Sequence, residues 1–303
     1  MNAEIGDCSR RRLLGGGALL AAGVALSGKG LAAESNPRNG TAKINGLDVY
    51  YEIHGGPLGS AVAPMVLLGG GAVTIENAFA PEFIARFARR GPVIAIEQQG
   101  HGHTGDRPDK PMTIDRMVED TAGVLAHLGV RQADLLGHSL GGIVATGVAI
   151  HHPAVVRSVT TLGTPYQLDG FLPEIARMQR DPTLAPSPEM IPLMPTEADF
   201  AAWRESFERA APDPTAFDKI LVRLNAMLGA WSGWTEVQLR GIQAPALIAV
   251  GDNDYVRLDH AAEVARLIPN ARLAVLPGTT HFGVVKRDAW LEPMIDALTQ
   301  SAL

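Results

Sequence analysis

The stretch of sequence that decides the fold is ADLLGHSLGG, residues 133–142. It joins an apolar run, typical of a buried strand, to a G-x-S-x-G motif whose serine is Ser139, and an amphipathic helical pattern follows directly. On such a strand-to-helix turn the neighbouring residues must be small, which Gly137, Gly141 and Gly142 satisfy. The N-terminus of the helix presents free N–H groups beside the serine. Ser139 is therefore the candidate nucleophile; the alternative is that it only caps the helix.

On both sides of this stretch, short β-branched or leucine-rich runs alternate with longer amphipathic stretches. That alternation indicates a mainly parallel sheet covered by helices. The first strands are expected to form an antiparallel edge with a turn at Asn45-Gly46. Strands are predicted at 43–53, 65–68, 93–97, 133–136, 155–162, 246–250 and 271–276, and helices at 113–128, 141–151, 258–267 and 290–300.

Residues 166–240 interrupt this alternation and hold eight of the 21 prolines. Five of them lie between Pro182 and Pro195, where neither a regular helix nor a central strand can form. Helices are expected at 197–210 and 214–229, the second with Asp213 as its N-cap. The segment is also rich in tryptophan, phenylalanine and methionine. It is interpreted as a helical insertion that lies over the sheet.

The composition of the 303-residue chain is that of an ordinary globular protein, with 46% apolar residues, 19% charged residues and a net charge of −6. It excludes collagen-like, coiled-coil and disordered classes. No stripe of lysine and arginine stands out, so no nucleic-acid partner is expected. The single cysteine, Cys8, excludes an intramolecular disulfide.

The N-terminus has the pattern of an export signal. Three arginines at residues 10–12 precede an apolar run at 13–26, which is too short for a stable membrane span, and small residues follow near position 32. Residues 1–32 resemble a bacterial twin-arginine (Tat) signal peptide, which implies the Tat export machinery as a partner and a periplasmic or secreted mature protein. The alternative is a disordered or anchoring N-terminus.

A serine nucleophile needs a base, and the base needs a carboxylate to orient it. His281 is the best candidate base because it lies in the loop after the last predicted strand. Asp254, 27 residues earlier and at a strand end, is the preferred acid, with Asp252 as the alternative. His101 and His103 are expected to have a role in their loop rather than to form a metal pair, and neither a metal nor a cofactor is expected.

The tetrahedral intermediate of acyl transfer needs backbone N–H donors. One is expected from Leu140, and the other from the glycine-rich loop after an earlier strand, with Gly71 as the first choice and Ala72 as the second. The expected substrate pocket is mainly apolar. Its candidate lining residues are His138, Met178, Trp203, Trp231, Trp234 and Phe282.

Together these motifs resemble the α/β-hydrolase superfamily over residues 42–300. Residues 97–104 are similar to its D-x-R-G-x-G-x-S loop and residues 251–256 to its G-x-x-D-x-x-V acid turn. The resemblance implies a mostly parallel eight-stranded sheet with helices on both faces, a core of residues 33–165 and 241–303, and a cap of residues 166–240. It also implies the triad Ser139, Asp254 and His281. Gly69 stands where the family has histidine, and Gln99 where it often has arginine.

The expected function is that of a serine hydrolase that cleaves carboxylic esters of small to medium, mainly apolar molecules through an acyl-enzyme. The same triad also serves lactone hydrolysis, C–C bond hydrolysis and cofactor-free peroxidase chemistry. A non-enzymatic ligand-binding protein on this fold is a further alternative. The sequence leaves the oligomeric state open.

Overall fold

A computed structural model describes residues 37–300 of the chain. The predicted signal at residues 1–32 lies outside these residues. The strands are β1 (Arg38–Ile44), β2 (Leu47–His54), β3 (Met65–Leu68), β4 (Val93–Ile96), β5 (Ala133–His138), β6 (Val156–Leu162), β7 (Ala246–Asn253) and β8 (Ala271–Thr280). The α-helices are α1 (Ile75–Ala78), α2 (Pro81–Ala88), α3 (Ile114–His127), α4 (Leu140–His151), α5 (Pro173–Arg180), α6 (Glu197–Ala210), α7 (Phe217–Ala230), α8 (Glu236–Arg240), α9 (Leu258–Leu267) and α10 (Asp288–Gln300).

The eight strands form one sheet in the order β1-β2-β4-β3-β5-β6-β7-β8. β1 pairs antiparallel with β2, and β2 antiparallel with β4, whereas all the other neighbours are parallel. The turn between β1 and β2 places Asn45 and Gly46 at positive φ, as two-residue hairpin turns require. The predicted fold class and the predicted antiparallel edge are confirmed.

Both faces of the sheet are buried at its centre, so β3 and β4 are continuously apolar rather than alternating with polar residues. On β3, Val66 and Leu68 belong to one hydrophobic cluster and Leu67 to the other. The first cluster includes apolar residues of α3, α4 and α9, and the second includes those of α2 and α10. The helices therefore cover both faces, as predicted.

Between β6 and β7 the chain forms α5, α6, α7 and α8. We refer to residues 166–240 as the cap segment. The helix predicted at 197–210 is confirmed, and it begins with a capping box made by Thr196 and Asp199. The helix predicted at 214–229 is a short 3-10 turn at Pro214–Ala216, capped by Asp213, followed by α7. The proline-dense stretch forms turns and one 3-10 turn at Ile191–Leu193.

Polar contacts from α6 and α7 hold the cap segment to loops that follow parallel strands. Ser206 of α6 and Thr74, which lies between β3 and α1, are both buried, and their hydroxyl oxygens are 2.7 Å apart. Arg223 of α7 forms a 3.0 Å ion pair with Asp106, which lies in the loop after β4, and also donates to a backbone carbonyl of Lys110. The cap segment is thus attached above the carboxyl ends of β3 and β4.

A buried ion pair organises the loop after β4. Arg107 donates to both carboxylate oxygens of Asp120 on α3, each at 2.8 Å, and to the side-chain oxygen of Gln99 at 2.7 Å. The side chains of Arg107 and Asp120 are only 8% and 3% exposed. Gln99 occupies the position where the family often has arginine, and a guanidinium from eight residues later in the chain lies beside it.

No helix within residues 37–300 has the length and apolar character that crossing a bilayer requires.

We expect Arg107→Met to destabilise the fold by about 3–5 kcal/mol, because Asp120 would remain buried without its cationic partner. Urea denaturation at neutral pH measures this change. The matched control is Arg240→Met, which removes an exposed ion pair with Glu236 and should cost less than about 1 kcal/mol. Equal effects of the two substitutions would contradict the role assigned to Arg107.

Candidate active site

Ser139 lies on a sharp turn between β5 and α4, with φ of +51° and ψ of −116°. A non-glycine residue rarely adopts this backbone region, so the surrounding packing must maintain it. A side chain at Gly137 would place its Cβ 2.2 Å from the carbonyl oxygen of Gly141, and one at Gly141 would lie 2.1 Å from that of Leu68. Only glycine therefore fits at these two positions of the motif. Ser139 lies at the carboxyl edge of the sheet and is partly exposed.

His281 and Asp254 are brought together at the same edge by the ends of β8 and β7. His281 Nδ1 donates to Asp254 Oδ1 at 2.7 Å, and both side chains are almost fully buried. Burial alone would raise the pKa of Asp254, but the neighbouring His281 and the N–H of Val256 hold that pKa below its ordinary value. A charged carboxylate thus fixes the orientation of the imidazole.

Asp252, the alternative acid, has a different position. Its carboxylate accepts the backbone N–H groups of Gly278 and Thr279, each at 3.0 Å. These contacts extend the pairing between β7 and β8 beyond the predicted strand ends. Asp252 therefore supports the chain that leads to His281 and does not bond to the imidazole.

The loop after β3 lies against the turn that carries Ser139. Its backbone N–H groups differ in whether they already donate a hydrogen bond. A Cβ at Gly71 would lie 3.8 Å from the side chain of Leu140, and no hydrogen bond from the N–H of Gly71 is formed within residues 37–300. Ala72, at φ of +66°, instead donates its N–H to His101 Nε2 at 3.0 Å. Ala72 is therefore a poor candidate for the oxyanion hole, whereas Gly71 and Leu140, the first residue of α4, keep available donors.

His101 and His103 belong to the hydrogen bonds that hold the loop after β3 in place. His101 Nδ1 donates to the carbonyl of Gln99 at 3.0 Å, so its Nε2 can accept from Ala72. Burial lowers the pKa of His101, which keeps the ring neutral. Glu97 accepts the N–H groups of Ile75 at 3.2 Å and of His103 at 2.6 Å, and its hydrogen bond with the His103 ring raises the pKa of His103. The predicted loop role of these histidines agrees with these contacts.

His138 precedes the nucleophile and contacts the candidate base. Its Nε2 donates to the backbone carbonyl of His281 at 3.0 Å, and the two ring centres are 5.0 Å apart. Burial, together with the nearby His281, lowers the pKa of His138 to about 3. The ring is therefore neutral at physiological pH and serves as a fixed hydrogen-bond donor.

Ser139 and His281 line a cavity of about 450 Å³ between the sheet edge and the cap segment. Four of the predicted pocket residues line it, namely His138, Met178, Trp203 and Phe282. Sequence reasoning missed others. Some lie on the predicted helix at 214–229, whose inward face the pattern did not fix, and the rest lie on α5, which was not predicted, or in loops. The lining residues missed include Phe171, Ile175, Gln179, Leu224, Asn225 and Tyr255.

Trp231 and Trp234 are not among the residues that line this cavity, which corrects the sequence-based prediction for both. Trp234 is buried, and its indole N–H donates to the carbonyl of Ile143 on α4 at 3.3 Å. A Cβ at Gly147 would touch its ring at 2.7 Å, so α4 leaves room for the indole there. Trp231 packs edge-on against Trp234. Both indoles fasten the end of the cap segment to the core.

Tyr255 is a neighbour of the candidate base that sequence reasoning did not single out. Its ring stacks on His281 with centres 4.5 Å apart and an angle of 17° between the planes. Its hydroxyl donates to the carbonyl of Leu193 in the proline-dense stretch at 2.9 Å. The position of Tyr255 directly after Asp254 was the available signal.

Comparison with known proteins agrees with the fold. A model of the alpha/beta hydrolase family matches residues 53–292. The chain belongs to the alpha/beta hydrolase family. A protein described as the carbamate hydrolase RutD, from Azorhizobium caulinodans, is 29% identical to this hydrolase over 82% of the chain and 94% of its own length. A 2-hydroxymuconate semialdehyde hydrolase from Pseudomonas putida is 29% identical over 63% of the chain and 70% of its own length.

Among solved structures, Est816, described as an N-acyl homoserine lactone degrading enzyme, superposes on this hydrolase with a TM-score of 0.65. The two are 25% identical, and the match covers 84% of this chain and 97% of that one. The first two relatives are both named as hydrolases, and the names of all three specify different substrates. This chain is likewise a hydrolase.

The neutral buried His138 should make stability pH-dependent. The pKa of His138 is about 3 in the folded state and about 6.5 in the unfolded chain. Between these pH values the unfolded state binds the extra proton, so the free energy of unfolding falls as pH falls. We expect His138→Gln, which keeps a donor for the His281 carbonyl, to lose less stability between pH 7 and pH 5 than the unmodified protein. Urea midpoints at both pH values measure this difference.

The control is His127→Gln on α3, where the replaced histidine is exposed. This variant should keep the pH dependence of the unmodified protein. Parallel pH profiles for His138→Gln and the unmodified protein would refute the neutral assignment.

Proposed function

We propose that this protein is a serine hydrolase that cleaves carboxylic esters through an acyl-enzyme. The observation that carries the proposal is the buried 2.7 Å hydrogen bond between Asp254 and His281, in a cavity that Ser139 also lines from its positive-φ turn. A nucleophile, an imidazole and a carboxylate that orients the imidazole are the three groups that acyl transfer by serine needs.

The role of His281 as a base depends on which of its ring nitrogens is not hydrogen-bonded to Asp254. Nδ1 is bonded to Asp254, so Nε2 remains to accept the proton of Ser139 as its Oγ attacks the ester carbonyl. The N–H groups of Leu140 and Gly71 would stabilise the resulting oxyanion. The imidazolium then gives its proton to the leaving alcohol, and the acyl-enzyme forms. Water, deprotonated by His281, attacks that ester in turn and releases the acid and Ser139.

The cavity favours mainly apolar substrates of small to medium size. Its wall consists largely of aliphatic and aromatic side chains of the cap segment, and its volume lies within the range of small-molecule sites. Trp203 and Phe282, with ring centres 5.4 Å apart, contribute an apolar aromatic surface. Burial of an apolar chain there supplies binding energy of roughly 25 cal/mol for each Å² removed from water.

Lactone hydrolysis is a second candidate, because a cyclic ester requires the same three groups. The observation that favours it is the similarity to Est816, which is described as degrading N-acyl homoserine lactones. A panel of p-nitrophenyl esters, acyl homoserine lactones and carbamates distinguishes these possibilities. The highest kcat/KM within the panel identifies the bond that this site cleaves best.

The two aspartates of the β7 turn provide a matched test of the triad. We expect Asp254→Asn to lower kcat on p-nitrophenyl butyrate by about 10⁴-fold, because the imidazole loses the carboxylate that sets its tautomer. Asp252→Asn makes the same chemical change two residues away, where an amide oxygen still accepts a backbone N–H. Its kcat should fall less than about tenfold.

Ser139→Ala completes this test. It should reduce ester hydrolysis to near the uncatalysed rate and abolish covalent labelling by a fluorophosphonate probe. Substantial ester turnover by Ser139→Ala, or equal losses in the two aspartate variants, would overturn the proposal.

A further inference from the structure

The loop that carries the proposed oxyanion donor has few side chains of its own to hold it. Residues 69–71 are three consecutive glycines, and Ala72 follows them. Glycine has no side chain to pack and loses more conformational freedom on folding than any other residue. Gly71 can therefore keep its N–H in one direction only if neighbouring groups fix the backbone on both sides of it.

On the N-terminal side of Gly71 the loop is restricted by packing. A Cβ at Gly69 would lie 2.8 Å from the methyl group of Ala78, and a Cβ at Gly70 would lie 3.1 Å from His138 Nδ1. Contacts of this kind limit the position of the chain, but they do not orient an N–H group. The direction of the next peptide must be set on the other side.

On the C-terminal side the loop is held by a directional contact. Ala72 donates its N–H to Nε2 of His101 at 3.0 Å, and the imidazole is buried. Because the peptide bond is planar, this hydrogen bond fixes the whole plane of the peptide between Gly71 and Ala72. It also stabilises Ala72 at φ of +66°, a backbone region that is unfavourable for a residue with a side chain.

The acceptor that Ala72 uses is itself fixed. His101 Nδ1 donates to the backbone carbonyl of Gln99 at 3.0 Å, which leaves Nε2 as an acceptor. The side chain of Gln99 is held at both ends, since its amide nitrogen donates to Asp106 at 2.8 Å and its oxygen accepts from Arg107 at 2.7 Å. The imidazole thus has one tautomer and one position.

Two further hydrogen bonds hold the loop beyond Ala72. The N–H of Ile75 donates to Glu97 at 3.2 Å, and the hydroxyl oxygens of Thr74 and Ser206 are 2.7 Å apart. Neither bond involves the imidazole that accepts from Ala72. Loss of this imidazole would therefore free the backbone at Ala72 while the following residues stay attached.

We propose that His101 is a positioning residue for the oxyanion hole. By accepting the N–H of Ala72, it fixes the peptide that follows Gly71 and so the direction of the Gly71 N–H. That N–H then points to the place where the carbonyl oxygen of a substrate on Ser139 becomes negative. The described residues that line the cavity do not include His101, so it acts through the loop and not on the substrate itself. The inference rests on the proposed function.

The first test separates the rate of acyl transfer from substrate binding. His101→Leu should lower kcat on p-nitrophenyl butyrate about 100-fold, the effect of losing one oxyanion donor, and should change KM less than about threefold. His101→Gln provides an amide oxygen in the place of Nε2 and should restore kcat to within about tenfold of the unmodified protein. Equal values of kcat for the two variants would contradict the role of the acceptor.

A second buried histidine offers a matched control. Nε2 of His260 on α9 accepts the backbone N–H of Tyr166 at 3.2 Å, and its side chain is buried like that of His101. His260→Leu and His101→Leu should lower the urea midpoint by similar amounts, because each leaves a buried N–H without its acceptor. Only His101→Leu should lower kcat more than about threefold. Equal losses of kcat would refute the proposal.

A transition-state analogue tests the oxyanion directly. 1,1,1-Trifluoroheptan-2-one adds to Ser139: the bond from Oγ to the carbonyl carbon forms, the serine proton passes to His281, and the former carbonyl oxygen becomes negative. Its inhibition constant should rise in His101→Leu by the same factor by which kcat falls. The constant of heptan-2-one, a ground-state analogue, should not change. An unchanged constant for the trifluoromethyl ketone would refute the proposal.

Failure of this role and failure of the esterase proposal give different results. If Ser139-dependent ester hydrolysis is present but His101→Leu and His260→Leu have the same kcat, the positioning role is wrong and the esterase proposal stands. If no ester is hydrolysed, hydrogen exchange at the N–H of Ala72 provides the test. Protection that is lost in His101→Leu but kept in His260→Leu supports the role of His101, and unchanged protection refutes it.

Discussion

The close packing beneath Ser139 is the constraint on which the rest of the site depends. The backbone of Ser139 is held in a left-handed region that costs about 1–3 kcal/mol for a residue with a side chain. It persists because α4 lies so near β3 and β5 that only glycine fits at positions 137 and 141. The serine N–H also donates to the carbonyl of Leu162, at the end of β6, at 2.9 Å. The candidate nucleophile is thus fixed relative to both strands that flank β5.

The same demand for small residues extends to the base and the acid. Gly163 follows β6 with φ of +54°, and a Cβ there would lie 2.9 Å from Asp254 Oδ2 and 3.0 Å from His281 Nδ1. A side chain at this position would displace the carboxylate–imidazole pair. The buried ring of His138, which lies beside His281, is neutral because burial lowers its pKa. No positive charge on His138 therefore opposes the positive charge that would develop on His281 and that the carboxylate of Asp254 would stabilise.

Local sequence was sufficient for the nucleophile turn, because the strand, the glycines and the helix are contiguous in the chain. The partnership of Asp254 and His281 is long-range, yet it was predictable, because both residues follow predicted strands and match the chain order of acid and base in the family that the sequence resembles. The errors concern side-chain direction. Trp234 belongs to an aromatic-rich segment, but the packing of the segment on α4 turns its indole into the core.

Other features left no local signal at all. The short helices α1 and α8 span four and five residues, too few for an apolar period to show. The Arg107–Asp120 pair joins a loop to a helix through tertiary packing. Gln99, at a position where the family often has arginine, indicated that this loop differs from the family pattern, but the sequence did not show that Arg107 lies beside it.

The attachment of the cap segment links substrate binding to the oxyanion loop. Thr74 bonds to Ser206 of α6 and lies only three residues after Gly71, whose N–H is the proposed oxyanion donor. A substrate that displaced α6 would therefore have to break this buried hydrogen bond or move the loop with it. Tyr255 makes a second such connection, because its ring stacks on His281 while its hydroxyl bonds to the proline-dense stretch. Through Thr74 and Tyr255, the loop of Gly71 and the ring of His281 are thus connected to the segment that also shapes the cavity, so occupancy of the cavity and the positions of these groups are physically coupled.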